Sequence, residues 1–336
     1  MAIEPDISMS NKTALILGVT GQDGAHLARF LLGKSYTVIG QSRSSGESDL
    51  GNLRSLDILD KIEIKKVSTL VEREIVTLIT DSAPDEIYNF SGQSSVGNSF
   101  SQPIETTQSH VISTLQVLEA IRKVNKTIRF FNAGSSECFG DTRGIPANEL
   151  TSFSPVSPYA ISKAASSWYT ALYRKNHSLY ACNGIFFNHE SSLRNERFVT
   201  KKIATAAYRI SNGSNEKISL GNVDIIRDWG WAEEYVEAAW NMLNRESPED
   251  FVIATGVTQS LRTFAKTIFR EAGLELDRYL NIDKSLLRLN EPLEISADIS
   301  KARELMSWNP KIYGSKVAKK MYSDTIQSIN RLNLPL

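Results

Sequence analysis

Cysteine is scarce in this sequence: Cys138 and Cys182 are the only two among 336 residues. Two are too few for a disulfide framework or a cysteine-based structural zinc site. No apolar run approaches the ~18 residues that a membrane-spanning helix requires. Segment 1–11 has no basic residue before Lys12 and no apolar stretch, so it does not read as a secretory signal. Neither sign of charge is in excess, with 38 Lys and Arg against 38 Asp and Glu. A nucleic-acid backbone demands a basic surface, so this balance argues against such a partner. Internal repeats and low-complexity tracts are also missing. What remains is an ordinary soluble composition, long enough for one large or two modest domains. The expectation is a cytoplasmic α/β protein.

Short β-rich apolar runs alternate with longer helical patterns from Lys12 onwards. Ala14–Leu17, Thr37–Ile39, Ile62–Val67, Glu86–Phe90 and Ile128–Phe131 read as five strands. Leu27–Leu32 and Glu74–Ile79 are helical, and one long helix is expected over about Thr106–Lys126. Such alternation implies a parallel sheet covered on both faces. Beyond about Asn188 the pattern loosens into polar loops and helices near Thr200–Ser211, Ala232–Leu243 and Leu261–Ala272. The plan expected is a doubly wound parallel sheet over 1–187 and a smaller substrate-binding lobe over 188–336. The stretch of about 218–260 is expected to return to the first part.

Gly18-Val19-Thr20-Gly21-Gln22-Asp23-Gly24 follows the first strand and opens a helix. Glycines in this G-x-x-G-x-x-G spacing allow a tight turn and close approach of a pyrophosphate, which free helix N–H groups then hold. Gly18, Gly21, Gln22, Asp23 and Gly24 are the candidate cofactor contacts. The second strand ends in Gly40-Gln41-Ser42-Arg43-Ser44-Ser45, with no carboxylate to receive ribose hydroxyls or repel a 2′-phosphate. Arg43 and the neighbouring hydroxyls suit that phosphate, so NADP is the expected cofactor. The alternative for Arg43 is a solvated surface arginine.

Tyr159 and Lys163 form Tyr-x-x-x-Lys, a spacing that puts both on one helix face. A nearby ammonium favours a phenolate and would make Tyr159 a usable base. Ser135-Ser136-Glu137 lies just past the fifth strand, where a substrate over a parallel sheet sits. The Ser135 hydroxyl can orient a sugar hydroxyl, and Glu137 can act as a second base or merely cap a helix.

These elements together resemble the extended short-chain dehydrogenases/reductases. The strings Phe187-Asn188-His189-Glu190-Ser191, Arg227-Asp228-Trp229-Gly230 and Val252-Ile253-Ala254-Thr255-Gly256-Val257 narrow the resemblance to the GDP-mannose 4,6-dehydratase family. Its members read F-N-H-E-S, R-D-W-G and V-I-A-T-G-V in this order.

The resemblance implies a Rossmann-type sheet and a catalytic set of Ser135, Glu137, Tyr159 and Lys163. It places the GDP-sugar against Ser94, Asn188, Lys202, Arg227, Arg288 and Glu291. Lys and Arg suit a diphosphate, and the Glu291 carboxylate suits the N–H donors of guanine. His189 is expected to be a structural hydrogen-bonding residue. The Ser44–Arg54 loop matches in length one that reaches a neighbouring protomer in the family, implying a homodimer or homotetramer. Ser68, Val156 and Arg197 depart from the family pattern and leave the exact sugar open. A nucleotide-sugar 4-epimerase or 4-reductase of the same superfamily is the alternative reading. A non-enzymatic NADP-binding regulator is a third.

Overall fold

The computed structural model describes residues 12–44, 46–288 and 290–332. Segment 1–11, Ser45 beside Arg43, and Leu289 between Arg288 and Glu291 lie outside the described residues.

The chain starts with β1 (Thr13–Leu17), whose run Ala14–Leu17 is fully buried, as a strand covered on both faces must be. It turns through the glycine loop into α1 (Gln22–Gly33) and returns as β2 (Thr37–Ser42). Next come α2 (Gly51–Ser55), β3 (Glu63–Lys66), α3 (Glu72–Ser82) and β4 (Glu86–Asn89). Two short helices, α4 (Val96–Ser101) and α5 (Pro103–Thr107), precede α6 (Ser113–Val124), β5 (Arg129–Ser135), α7 (Pro158–His177) and β6 (Ala181–Phe186). The single helix expected over about Thr106–Lys126 is therefore two α-helical pieces, α5 and α6, with a π turn at Gln108–Ile112 between them. The π turn adds a residue to the hydrogen-bonded ring and rotates the face that follows.

Past Phe187 the chain forms β7 (Asn188–Glu190), α8 (Val199–Ser211), β8 (Ile218–Leu220), β9 (Ile226–Trp231), α9 (Ala232–Leu243) and β10 (Phe251–Ile253). It continues with β11 (Thr258–Ser260), α10 (Leu261–Glu271), α11 (Leu276–Tyr279), β12 (Leu280–Ile282), β13 (Glu294–Ile295), α12 (Ser300–Met306) and α13 (Ser315–Leu332).

Seven strands make one parallel sheet in the order β10-β6-β5-β4-β1-β2-β3. The winding reverses between β1 and β4, and that switch point opens a crevice at the strands' carboxyl ends. A smaller sheet sets β9 between β11 and β13, with β7 also pairing with β9. Of the stretch of about 218–260, β10 joins the large sheet and α9 packs beside α1. The other three strands of that stretch lie outside the large sheet: β8 pairs with β12, and β9 centres the small sheet with β11 along one side. Trp229 and Trp231 of β9 are the reason, because both are buried in a second core with Ile203, Phe264, Ile268 and Met321. That core lies among α8, α10 and α13.

Candidate active site

Ser157 begins the site locally. Its Oγ accepts a hydrogen bond from the Ala160 amide at 3.1 Å, and Pro158 occupies the first helical turn. A serine cap followed by proline fixes the start of α7. Tyr159 is thereby held in the first turn and Lys163 one turn later. On the facing element, β5 ends at Ser135, whose Oγ accepts from the Glu137 amide at 3.3 Å and caps a 3₁₀ turn over Ser136–Phe139. Ser135 also hydrogen-bonds the Tyr159 hydroxyl. Tyr159 thus meets the carboxyl end of the parallel sheet.

Lys163 is buried and donates to the Ala133 carbonyl at 2.8 Å, while its Nζ lies 5.9 Å from the Tyr159 ring centre. Burial lowers its pKa to about 8. The expected depression of the Tyr159 pKa is not found. Burial pushes this phenol above its ordinary value, and the hydrogen bond from Ser135 only partly opposes that. Desolvating the phenolate outweighs the help available to it.

The glycine loop has the geometry of an anion cradle. Gly18 has φ +79°, and a Cβ there would lie 2.9 Å from the Phe90 carbonyl oxygen. At Gly24 a Cβ would come within 2.4 Å of the Gly18 carbonyl oxygen. Gly21 caps α1 without a side-chain hydrogen bond, which leaves the first-turn amides for a ligand. The side chains of Gln22 and Asp23, two of the expected cofactor contacts, are engaged within the protein. Gln22 Nε2 donates to the His189 carbonyl at 3.4 Å and its Oε1 accepts from Ser191 Oγ at 3.0 Å. Asp23 pairs with His189. They hold the 188–191 segment. Arg43 follows β2, is exposed, and makes one loose contact of 3.8 Å with Glu105.

A small, half-open pocket is lined by Glu137, Arg227, Arg288 and Glu291 together with Val96, Phe100 and Val156. Arg227 is buried and donates to the carbonyls of Ile226 and Pro292, each at 2.9 Å. Arg288 and Glu291 stand 3.5 Å apart. Burial raises the Glu291 pKa, against the pull of both arginines. Ser135, Tyr159 and Lys163 do not line this cleft; Ser157 and Glu137 form the wall there. Ser94, Asn188 and Lys202 lie outside it as well. Lys202 donates to the Ser219 carbonyl at 2.7 Å, Asn188 is in β7, and Ser94 meets Arg197 at 3.4 Å.

Two features escaped the sequence reading. Asp228 is fully buried and accepts from the Thr255 hydroxyl at 2.7 Å and the Gly256 amide at 2.7 Å, joining β9 to the end of β10. His110 stands edge-on to Tyr159, with ring centres 5.4 Å apart. A histidine in a mostly polar helical stretch was the only available signal, and the π turn hid its direction.

Residues 15–321 match the family model described as GDP-mannose 4,6 dehydratase. GDP-mannose 4,6 dehydratase 1 of Arabidopsis thaliana is 40% identical over 341 residues, covering 98% of this chain and 93% of the relative. The GDP-mannose 4,6-dehydratase of Yersinia enterocolitica is 36% identical over 350 residues, covering 94% of each. Among solved structures, a dTDP-glucose 4,6-dehydratase from Bacillus anthracis in complex with NAD superposes with a TM-score of 0.83 at 18% identity, over 95% of this chain and 98% of that one. A UDP-glucose 4-epimerase from Thermotoga maritima does so with a TM-score of 0.83 at 20% identity, over 94% and 99%. These structural likenesses concern the fold.

Proposed function

This chain belongs to the GDP-mannose 4,6-dehydratase family, and from that membership we propose that it converts GDP-mannose, or a close relative, to the 4-keto-6-deoxy nucleotide sugar. The observation that carries the reading is the pairing of two bases on adjoining elements. Tyr159 is hydrogen-bonded to Ser135, while Glu137, two residues further on, faces a cleft with Arg227, Arg288 and Glu291. An epimerase or reductase has no use for a second base beside the first.

In this reading Tyr159 accepts the proton of the sugar's 4-hydroxyl, with Ser135 orienting that hydroxyl and Lys163 supplying positive charge. A bound nicotinamide dinucleotide supplies a hydride acceptor for carbon 4 and a donor for carbon 6. Glu137 then removes the proton at carbon 5, made acidic by the 4-ketone, and returns it to the 6-hydroxyl, which leaves as water; the proton that Tyr159 took from the 4-hydroxyl goes to carbon 5 as hydride reaches carbon 6. Arg227 and Arg288 neutralise the diphosphate. The division into a nucleotide-binding part up to residue 187 and a substrate lobe from Asn188 belongs to the same reading.

The glycine cradle and the first-turn amides of α1 fit a pyrophosphate. Exposed Arg43, at a strand end lacking a carboxylate, favours NADP over NAD. Ile161, Trp168 and Leu172 on α7 are exposed beside Ile104 and Ile112. An apolar patch of this kind fits a second copy of the chain, so we take the enzyme to be a homodimer or a tetramer built from dimers. The deciding assay incubates the protein and NADP with several GDP-sugars and weighs the products. Loss of one water supports dehydration; an unchanged mass with altered sugar configuration means epimerisation and defeats the reading.

A further inference from the structure

His110 lies in the π turn at Gln108–Ile112, and its imidazole is buried. Nε2 is 2.7 Å from the Gln93 carbonyl oxygen. A carbonyl only accepts, so this nitrogen carries the hydrogen. Burial holds the imidazole pKa well below the ordinary value, and Lys163 acts in the same direction. His110 is therefore neutral, with its lone pair on Nδ1. Lys163 remains the cation beside Tyr159.

The ring rests on Gly92, where φ is +121°. A Cβ at position 92 would fall 2.3 Å from His110 Cε1 and 2.5 Å from Nδ1. The space a side chain would take after β4 is thus filled by the imidazole. On its other side the ring meets the Tyr159 phenol edge-on, at an interplanar angle of 85°. Nearby, Thr107 and Ser162 place their hydroxyl oxygens 3.4 Å apart and hold α5 against α7. Tyr159 consequently has the Ser135 hydroxyl at its phenolic oxygen and the His110 ring against its aromatic ring.

We propose that His110, seated on Gly92, is a positioning residue that holds the Tyr159 phenol in line for removal of the sugar hydroxyl proton. The proposal rests on the reading of Tyr159 as the base. Its physical content is orientation, because a base displaced from the reacting hydroxyl loses rate without losing substrate affinity.

The experiment uses the full-length protein with NADP and GDP-mannose, following NADPH absorbance in a single turnover, the KM for GDP-mannose, and the nitrogen-15 spectrum of the imidazoles. His110→Phe keeps a ring on Gly92 but loses the bond to Gln93; Gly92→Ala leaves His110 intact and drives it toward Tyr159. Each is expected to slow the oxidation step by ~10–100-fold while KM stays within about threefold. The wild-type spectrum should show His110 as the neutral Nε2–H tautomer near neutral pH. Unchanged single-turnover rates in both single variants, or an imidazolium spectrum for His110, overturn the proposal. Tyr159→Phe separates the two levels. If it still oxidises the sugar, the base assignment has failed; if it is inert while the His110 and Gly92 variants match wild type, this proposal alone has failed.

Discussion

His189 Nε2 lies 3.0 Å from Asp23 Oδ1, which ties the start of α1 to β7. The other ring nitrogen, Nδ1, donates to the Phe187 carbonyl at 2.7 Å, and the ring stacks on Tyr235 at 4.6 Å. Burial opposes the charge of Asp23, yet the bonding and attraction of His189, with Arg194 and Gln22, hold its pKa well below the ordinary 3.8. A carboxylate beside an anion cradle is thereby neutralised. His189→Gln can replace one donor but not both, so a stability loss of about 1–3 kcal/mol and weaker NADP binding are expected. Because the Asp23 pKa is depressed in the folded state, its stabilisation is present above 3.8 and is lost as pH falls below it. Chemical denaturation at neutral and acid pH, with cofactor titration, checks both; identical curves for variant and wild type count against the clamp.

The proton inventory of Tyr159 and Lys163 predicts a pH profile. At neutral pH Tyr159 holds its proton and Lys163 is an ammonium. The pair loses one proton as pH rises through about 8, the Lys163 value. That deprotonated pair includes the reactive phenolate–ammonium form. The single-turnover oxidation rate should therefore climb from pH 6 and level above pH ~8. A rate independent of pH across this window contradicts the assignment.

Glu137→Gln separates oxidation from dehydration. The variant should retain reversible NADPH formation while losing ~10²–10⁴ in water elimination and in deuterium wash-in at carbon 5. Product mass in heavy water measures it. Near wild-type dehydration by this variant makes Glu137 structural.

Arg43→Ala should weaken NADP by roughly 10–100-fold, the worth of a charge-assisted phosphate contact. NAD should change little. Equal weakening of both dinucleotides removes the 2′-phosphate role.

Glu291 shares its cleft with Glu137, and that position makes the choice of nucleotide a sharp test. Glu291→Gln should reduce the preference for GDP- over UDP-sugars, measured by competition binding. If all nucleotide sugars weaken alike, the carboxylate grips a part that they share, such as the ribose.

Local patterns along the chain were enough to read the sheet and to place the candidate reactive groups on it. Short apolar runs such as Ala14–Leu17, set between turn residues and helical patterns, read as strands buried on both faces, and alternation with helices makes them parallel. Short-range spacing likewise put Tyr159 and Lys163 on one helical turn and Gly18, Gly21 and Gly24 in a phosphate loop. Only the tertiary structure decided what those groups experience. The Tyr159 pKa depends on burial by elements distant in sequence, so Lys163 four residues away could not foretell its rise. The side chains of Gln22 and Asp23 turn to Ser191 and His189, more than 160 residues on, a partnership no local pattern encodes. A π turn inside a helical pattern redirects His110, and nothing in the spacing of its neighbours marks the turn. Backbone preference and hydrophobic period act over a few residues; desolvation and charge pairing are set by whatever the fold brings alongside.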